Sequence, residues 1–197
     1  MELHPLCTLF PRITGSEFEA LKADILAHGL REPIVVHTGF ILDGGNRYRA
    51  CVEAGVEPTF KDFAGTNPVS FVLSANLHRR HLSAGQQAAI VASAQDWAKA
   101  QPAHRPTKAG NVAGLSEEGG NVAGLDTVAD RAAQSGASDR TQRMADKVAK
   151  ASPDLAKQVA HGEISLPKAV AQIEGKPAKA QPAAPANDEP EEDQIDL

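Results

Sequence analysis

Residues 33–55 constrain the fold more than any other part of the chain. The β-branched run Ile34-Val35-Val36 precedes Thr38-Gly39 and a second apolar run, a pattern typical of two short strands joined by a tight turn. The loop Gly44-Gly45 follows, and a helix is predicted from Arg47 to Ala54. A hairpin that leads into a helix through a glycine loop predicts a small α+β domain.

The start of this helix has the properties of an anion-binding site. Helix N-termini present free N–H groups and a partial positive charge, so they bind anions readily. Acidic residues are favoured there, yet this helix opens with Arg47 and Arg49. Each misplaced cation costs about 0.3–1 kcal/mol, and a phosphate near Gly44 and Gly45 would remove that cost. The sequence therefore predicts phosphate binding by these four residues.

A second interpretation of the same arginines stays open. Both could pair with Asp43 and Glu53 in a surface network that involves no ligand. Asp43 is also the one carboxylate beside the loop that could serve as a catalytic base or metal ligand. A single carboxylate is thin support for hydrolytic chemistry, so the sequence favours binding over catalysis and predicts no metal site of its own.

A helix predicted from Val69 to about Arg80 supports the phosphate site. Asn76 interrupts its apolar face, and a buried amide needs hydrogen-bond partners. The basic cluster at residues 78–81 lies at the C-terminal end, where the helix dipole favours cations. Asn76, Arg79 and Arg80 therefore support a phosphate site, although dipole complementarity alone would also account for the cluster.

The second half of the chain contains a helix-turn-helix pattern at residues 127–148. A short helix from Val128 stops at Ser135-Gly136, and Ser138 is positioned to cap a second helix. The start of a recognition helix meets base edges, where arginine suits guanine and glutamine suits adenine. The predicted DNA contacts are Ser138, Arg140, Gln142, Arg143 and Lys147. A small helical bundle with a solvated charged face is the alternative.

Composition sets the domain boundaries and the expected compartment. The net charge is −5, but residues 176–197 carry −4 of it, so the remaining body is nearly neutral and can hold a basic face. We predict an α+β domain at 1–82, an all-α domain at 83–175 with a flexible insertion at 101–126, and a disordered Pro/Ala-rich acidic tail at 176–197. The chain has two cysteines and no apolar run of about 18 residues or secretory signal, which predicts a cytoplasmic protein.

Three boxes in order resemble the ParB/sulfiredoxin-type domain. They are Gly-Leu-Arg-Glu-Pro-Ile-Val-Val at 29–36, Gly-Gly-Asn-Arg-Tyr-Arg-Ala at 44–50 and Ala-Asn-Leu-His-Arg at 75–79. The resemblance implies a small mixed sheet with helices, followed by a ParB-type helix-turn-helix domain. It also implies that Gly44, Arg47 and Arg49 contact the phosphates of a nucleoside triphosphate, CTP in the partition proteins. Asn76 and Arg79 would help to organise those phosphates and Mg²⁺.

Departures from the family pattern narrow the expected function. Gly45 and Ala75 each stand where the family has Glu, and Asn46 stands where it has Arg, which weakens the case for metal-assisted hydrolysis. The loop also lacks the cysteine of sulfiredoxin, which excludes that activity. We expect a ParB-like protein that binds double-stranded DNA as a homodimer, in plasmid, phage or chromosome partition or in transcriptional regulation. A nucleotide-dependent nuclease, phosphatase or kinase on the same scaffold is the alternative.

Overall fold

The computed structural model describes residues 1–78, 81–101 and 125–175. These residues form eight α-helices, one short 3₁₀ helix and a three-stranded sheet, which confirms the predicted α+β class. Arg79, Arg80, most of the predicted insertion and the predicted acidic tail lie outside the described residues. No helix in the described part of the chain is both long and apolar enough to cross a bilayer.

The first part of the chain contains the sheet and three helices. In chain order its elements are the 3₁₀ helix Cys7–Leu9, α1 Gly15–His28, β1 Ile34–His37, β2 Phe40–Asp43, α2 Gly45–Ala54, β3 Phe60–Asp62 and α3 Pro68–Asn76. The second part is helical. Its elements are α4 Ala84–Ala100, α5 Val128–Ser135, α6 Asp139–Ala151, α7 Pro153–His161 and α8 Leu166–Ile173.

The sheet is mixed, with β1 between an antiparallel β2 and a parallel β3. Thr38 and Gly39, both at positive φ, make the predicted tight turn between β1 and β2. The register shifts at the end of β2, so that Leu42 is an extra residue, as in a β-bulge. The bulge lets Ile41 and Leu42 both be fully buried, and it bends the strand immediately before Asp43.

Two helix boundaries differ from the predicted ones. Gly44, at φ 91°, is the N-cap of α2, so the helix begins at Gly45 rather than at Arg47. This places Arg49 beyond the first turn, where the helix dipole acts weakly on it. α3 ends at Asn76, short of the predicted end at Arg80.

One apolar core connects the two parts of the chain. Leu42 of β2 and Val72 of α3 belong to the same buried cluster as Val148 of α6 and Val159 of α7. α4 lies at its centre and packs mainly against α6 and α7. A smaller cluster fills the contact between α1 and α2. The core is thus continuous across the junction between the sheet and the helical part.

Candidate functional site

An open cleft of about 870 Å³ lies at the start of α2, where the sequence predicts an anion. Three parts of the chain form its walls: the N-terminal segment, the loop and first turns of α2 with Asn76, and the end of α7. The residues from α7 and the turn after it are Lys157, His161 and Glu163. The predicted phosphate loop and the helical part therefore border one space.

The two glycines of the loop lie close to other side chains of the protein. A Cβ atom at Gly44, which also has positive φ, would lie 3.0 Å from Nη2 of Arg47. A Cβ atom at Gly45 would lie 3.1 Å from Cδ2 of Leu3 and 3.3 Å from Sγ of Cys7. A side chain at either position would therefore crowd Arg47, Leu3 or Cys7.

Asp43 joins the loop to α3 through its two carboxylate oxygens. The amide nitrogen of Asn76 donates to Oδ1 of Asp43 at 2.9 Å and to the carbonyl oxygen of Val72 at 3.2 Å. Arg47 donates to Oδ2 of Asp43 at 3.2 Å. The inward-facing amide has the partners that its burial demands. Asp43, with both oxygens accepting from neighbours, is a structural link between α2 and α3.

Arg47 is held by acids on either side of the loop. Besides Asp43, it approaches Glu32, with 3.5 Å between Nη1 and Oε2. Its side chain is three-quarters buried. Its Nε is buried and has no hydrogen-bond partner, so the guanidinium keeps one unused donor.

Arg49 faces α1 and the segment before it. Its guanidinium stacks on the ring of Phe18 at 3.6 Å and donates to the carbonyl oxygen of Ile13 at 2.7 Å. Glu53 lies 3.8 Å away. The protein network that the sequence left open as an alternative is therefore the arrangement that these two arginines adopt. The buried Nε of Arg49 also lacks a hydrogen-bond partner, and the 3.8 Å separation from Oε1 of Glu53 is measured from this atom.

Several residues that line the cleft were not predicted from the sequence. Arg12, Lys157, His161 and Glu163 all line the cleft. Nε2 of His161 donates to the carbonyl oxygen of Thr8 at 2.9 Å, which fixes the end of α7 against the N-terminal segment. No local pattern marks these residues, because only the packing of α7 brings them to the loop.

The helices and the turn predicted at residues 127–148 are both present. α5 ends at Ser135 and has Gly136, at φ 67°, as its C-cap. Ser138 caps α6 by accepting from the backbone N–H of Thr141 at 3.2 Å. The hydroxyl of Ser138 is therefore engaged in capping. Because α5 and α6 pack on each other and on α4, the outward face of α6 is presented on a rigid support.

A stripe of exposed cations runs along the outward face of α6. It comprises Arg140, Arg143, Lys147 and Lys150, spaced by three or four residues and so on one side of the helix. Two of them touch exposed acids: Arg143 lies 3.9 Å from Asp139, and Lys147 pairs with Glu174. Lys150 extends the predicted set by one turn. We refer to these four residues as the basic stripe.

Gln142 does not belong to the outward face, and we remove it from the predicted DNA contacts. Its side chain is fully buried. It donates to the carbonyl oxygen of Ala88 at 3.2 Å and to Asp146 at 2.9 Å, and it accepts from Ser135 at 2.9 Å. Helical periodicity turns position 142 inward when positions 140 and 143 face outward.

Comparison with protein-family models and with curated proteins gave no match for this chain. The likeness to the ParB/sulfiredoxin-type domain therefore rests on the three sequence boxes. In the part of the chain that the structure describes, no three His, Cys, Asp or Glu side chains group as metal ligands.

Proposed function

We propose that this chain is a ParB-like protein that binds double-stranded DNA through α6. The observation that carries the proposal is the basic stripe on the second helix of a helix-turn-helix. Its ends are ten residues apart, which corresponds to about 15 Å along the helix axis. A helix of this kind fits the major groove, which is about 12 Å wide.

The charges of the basic stripe are available to phosphates. The Arg143 and Asp139 side chains are both more than half exposed, and exposed ion pairs contribute little to stability. A DNA phosphate can therefore replace such a carboxylate at small cost. Arg140 and Arg143, near the start of the helix, would reach base edges, and the two lysines further along would contact the backbone.

The cleft supports a second part of the proposal, the binding of a nucleoside triphosphate. The first N–H groups of α2 border this cleft together with Arg47 and Arg49, and a helix N-terminus suits an anionic ligand. The resemblance suggests CTP as the nucleotide. Asp43 already accepts from two donors and so offers no ready Mg²⁺ site, and a bound metal would take its ligands mainly from phosphates and water.

The biological setting follows from the resemblance. The protein would bind a palindromic site as a homodimer, in the cytoplasm and associated with a nucleoid or plasmid. It would act in partition or in transcriptional regulation, with the nucleotide setting its conformation. The enzyme alternative gains no support from Asp43, because both of its oxygens serve the link between α2 and α3.

The test is to select bound fragments from genomic DNA and to measure their affinity by fluorescence anisotropy over a range of salt concentrations. Each phosphate contact that is lost lowers the slope of log affinity against log salt by about 0.9. We expect Lys150→Ala to lower the slope in this way and Arg143→Ala to weaken binding strongly. Lys61→Ala, an exposed lysine on β3, is the matched control. Stripe variants that bind like Lys61→Ala would refute the proposal.

A further inference from the structure

The cations of the cleft fall into two classes. Arg47 and Arg49 are engaged by acids, carbonyl oxygens or an aromatic ring. Arg12 and Lys157 are exposed and, among the residues that the structure describes, make no ion pair. The arginines of the sequence motif are thus the neutralised ones, and two residues outside the motif carry the uncompensated charge.

Arg12 and Lys157 belong to different walls of the cleft. Arg12 follows the 3₁₀ helix in the N-terminal segment, whereas Lys157 projects from α7. His161 lies one turn beyond Lys157 and therefore shares its helix face. Because His161 is anchored to Thr8 of the N-terminal segment, the face that carries Lys157 is fixed toward the cleft.

An anionic ligand could bind to these two cations at a lower cost in free energy than to the arginines of the motif. To contact an anion through its full guanidinium, Arg47 would have to leave Asp43 and Glu32, and a partly buried carboxylate would lose its partner. Arg12 and Lys157 have no such pair to break. The first N–H groups of α2, which have no acceptor within the helix, border the same space.

We propose that Arg12 and Lys157 are the principal anion-binding side chains of this cleft, and that the ligand spans from the start of α2 to α7. The volume of the cleft is within the range usual for sites that hold small molecules of nucleotide size. The inference rests on the nucleotide part of the proposed function and assigns it to residues that the sequence motif does not contain. The site is consequently shared between the sheet part and the helical part of the chain.

The experiment is isothermal titration calorimetry of the full chain with two probes, CTP and inorganic triphosphate, at low ionic strength. We expect Arg12→Ala and Lys157→Ala each to weaken binding of both probes by about tenfold, the usual size of a charge-assisted hydrogen bond. Lys157→Arg keeps the charge and should bind close to wild type. Lys61→Ala, outside the cleft, should bind as wild type.

Two results would overturn the inference. One is a wild-type protein that binds CTP while both alanine variants bind it equally well, and the other is a wild-type protein that binds neither probe. DNA binding by the basic stripe is measured separately, in the absence of nucleotide, where Arg12→Ala and Lys157→Ala should match wild type. A wild-type protein that binds nucleotide but not DNA would therefore count against the DNA-binding part of the proposed function and not against this site.

Discussion

Arg131 of α5 and Asp146 of α6 form a buried ion pair, with 2.7 Å between Nη2 and Oδ2. Nε of Arg131 lies 3.2 Å from each oxygen of the same carboxylate. Nη1 donates to the carbonyl oxygens of Leu125 and Asp126. One guanidinium thus holds together α5, α6 and the segment before α5. It fixes the angle at which the basic stripe is presented.

Replacing Arg131 should destabilise the protein strongly. Arg131→Met leaves the Asp146 carboxylate partly buried without its cation, and breaking such a pair costs about 3–5 kcal/mol. Urea unfolding followed by circular dichroism measures the change. The double variant Arg131→Met, Asp146→Leu should recover part of the lost stability. An Arg131→Met protein that unfolds at the wild-type urea concentration would show that the pair has no structural role.

Alanine substitutions at Gln142 and Arg140 should have opposite effects on stability and on DNA binding. Gln142→Ala removes three hydrogen bonds made by a fully buried side chain and is expected to lower the free energy of unfolding by about 2 kcal/mol. Arg140→Ala, on the outward face, should leave stability unchanged and weaken DNA binding. Urea unfolding and anisotropy on the selected duplex distinguish the two. A stable Gln142→Ala protein with altered base preference would mean that Gln142 faces the DNA.

Removing the amide of Asn76 tests the link between α3 and the loop. Asn76→Ala deletes the donor to Asp43 and is expected to lower the free energy of unfolding by about 1–2 kcal/mol. Ser74→Ala is the control, since Ser74 is exposed on the same helix. Equal stability of the two variants in urea would contradict the structural role that we assign to Asp43.

His4 should make stability depend on pH. Burial, and to a smaller extent the neighbouring His37, lowers the pKa of His4 below its ordinary value of 6.5. On acidification, His4 therefore becomes protonated at a higher pH in the unfolded chain than in the folded protein. The stability due to neutral His4 is complete above pH 6.5 and declines as the pH falls toward the lower folded-state pKa.

Comparing wild type with His4→Gln measures this effect. The difference in free energy of unfolding between the two proteins should shrink as the pH is lowered through 6.5. A difference that stays constant with pH would show that His4 does not titrate differently in the folded state.

Local rules accounted for the elements but not for the contacts between them. Turns at Gly39 and Gly136 and the cap at Ser138 depend on neighbouring residues, and all three are found where the sequence predicts them. Gln142 contacts Ala88, 54 residues away, so its inward orientation depends on where α4 packs. For the same reason, the sequence did not reveal that α7 lines the cleft, because this depends on how α7 packs.

Arg47 shows a second limit. Its position at a glycine loop favoured a ligand contact and left an internal ion pair as the alternative, and only the locations of Glu32 and Asp43 show that the ion pair is formed. A sequence motif identifies candidate ligand-binding residues. It does not show whether those residues already have ion-pair or hydrogen-bond partners within the protein.

Ser152 is the C-terminal cap of α6 and also the N-terminal cap of α7, accepting there from the backbone N–H of Leu155 at 3.3 Å. Ser152 is consequently the single residue between the two helices, and no longer linker is present that could let one helix rotate independently of the other. A tilt of α7 toward an occupant beside Lys157 would reorient α6 in the same movement. Inserting one or two glycines after Ser152 would lengthen this junction and would separate the Ser152 hydroxyl from the N–H of Leu155 that it caps.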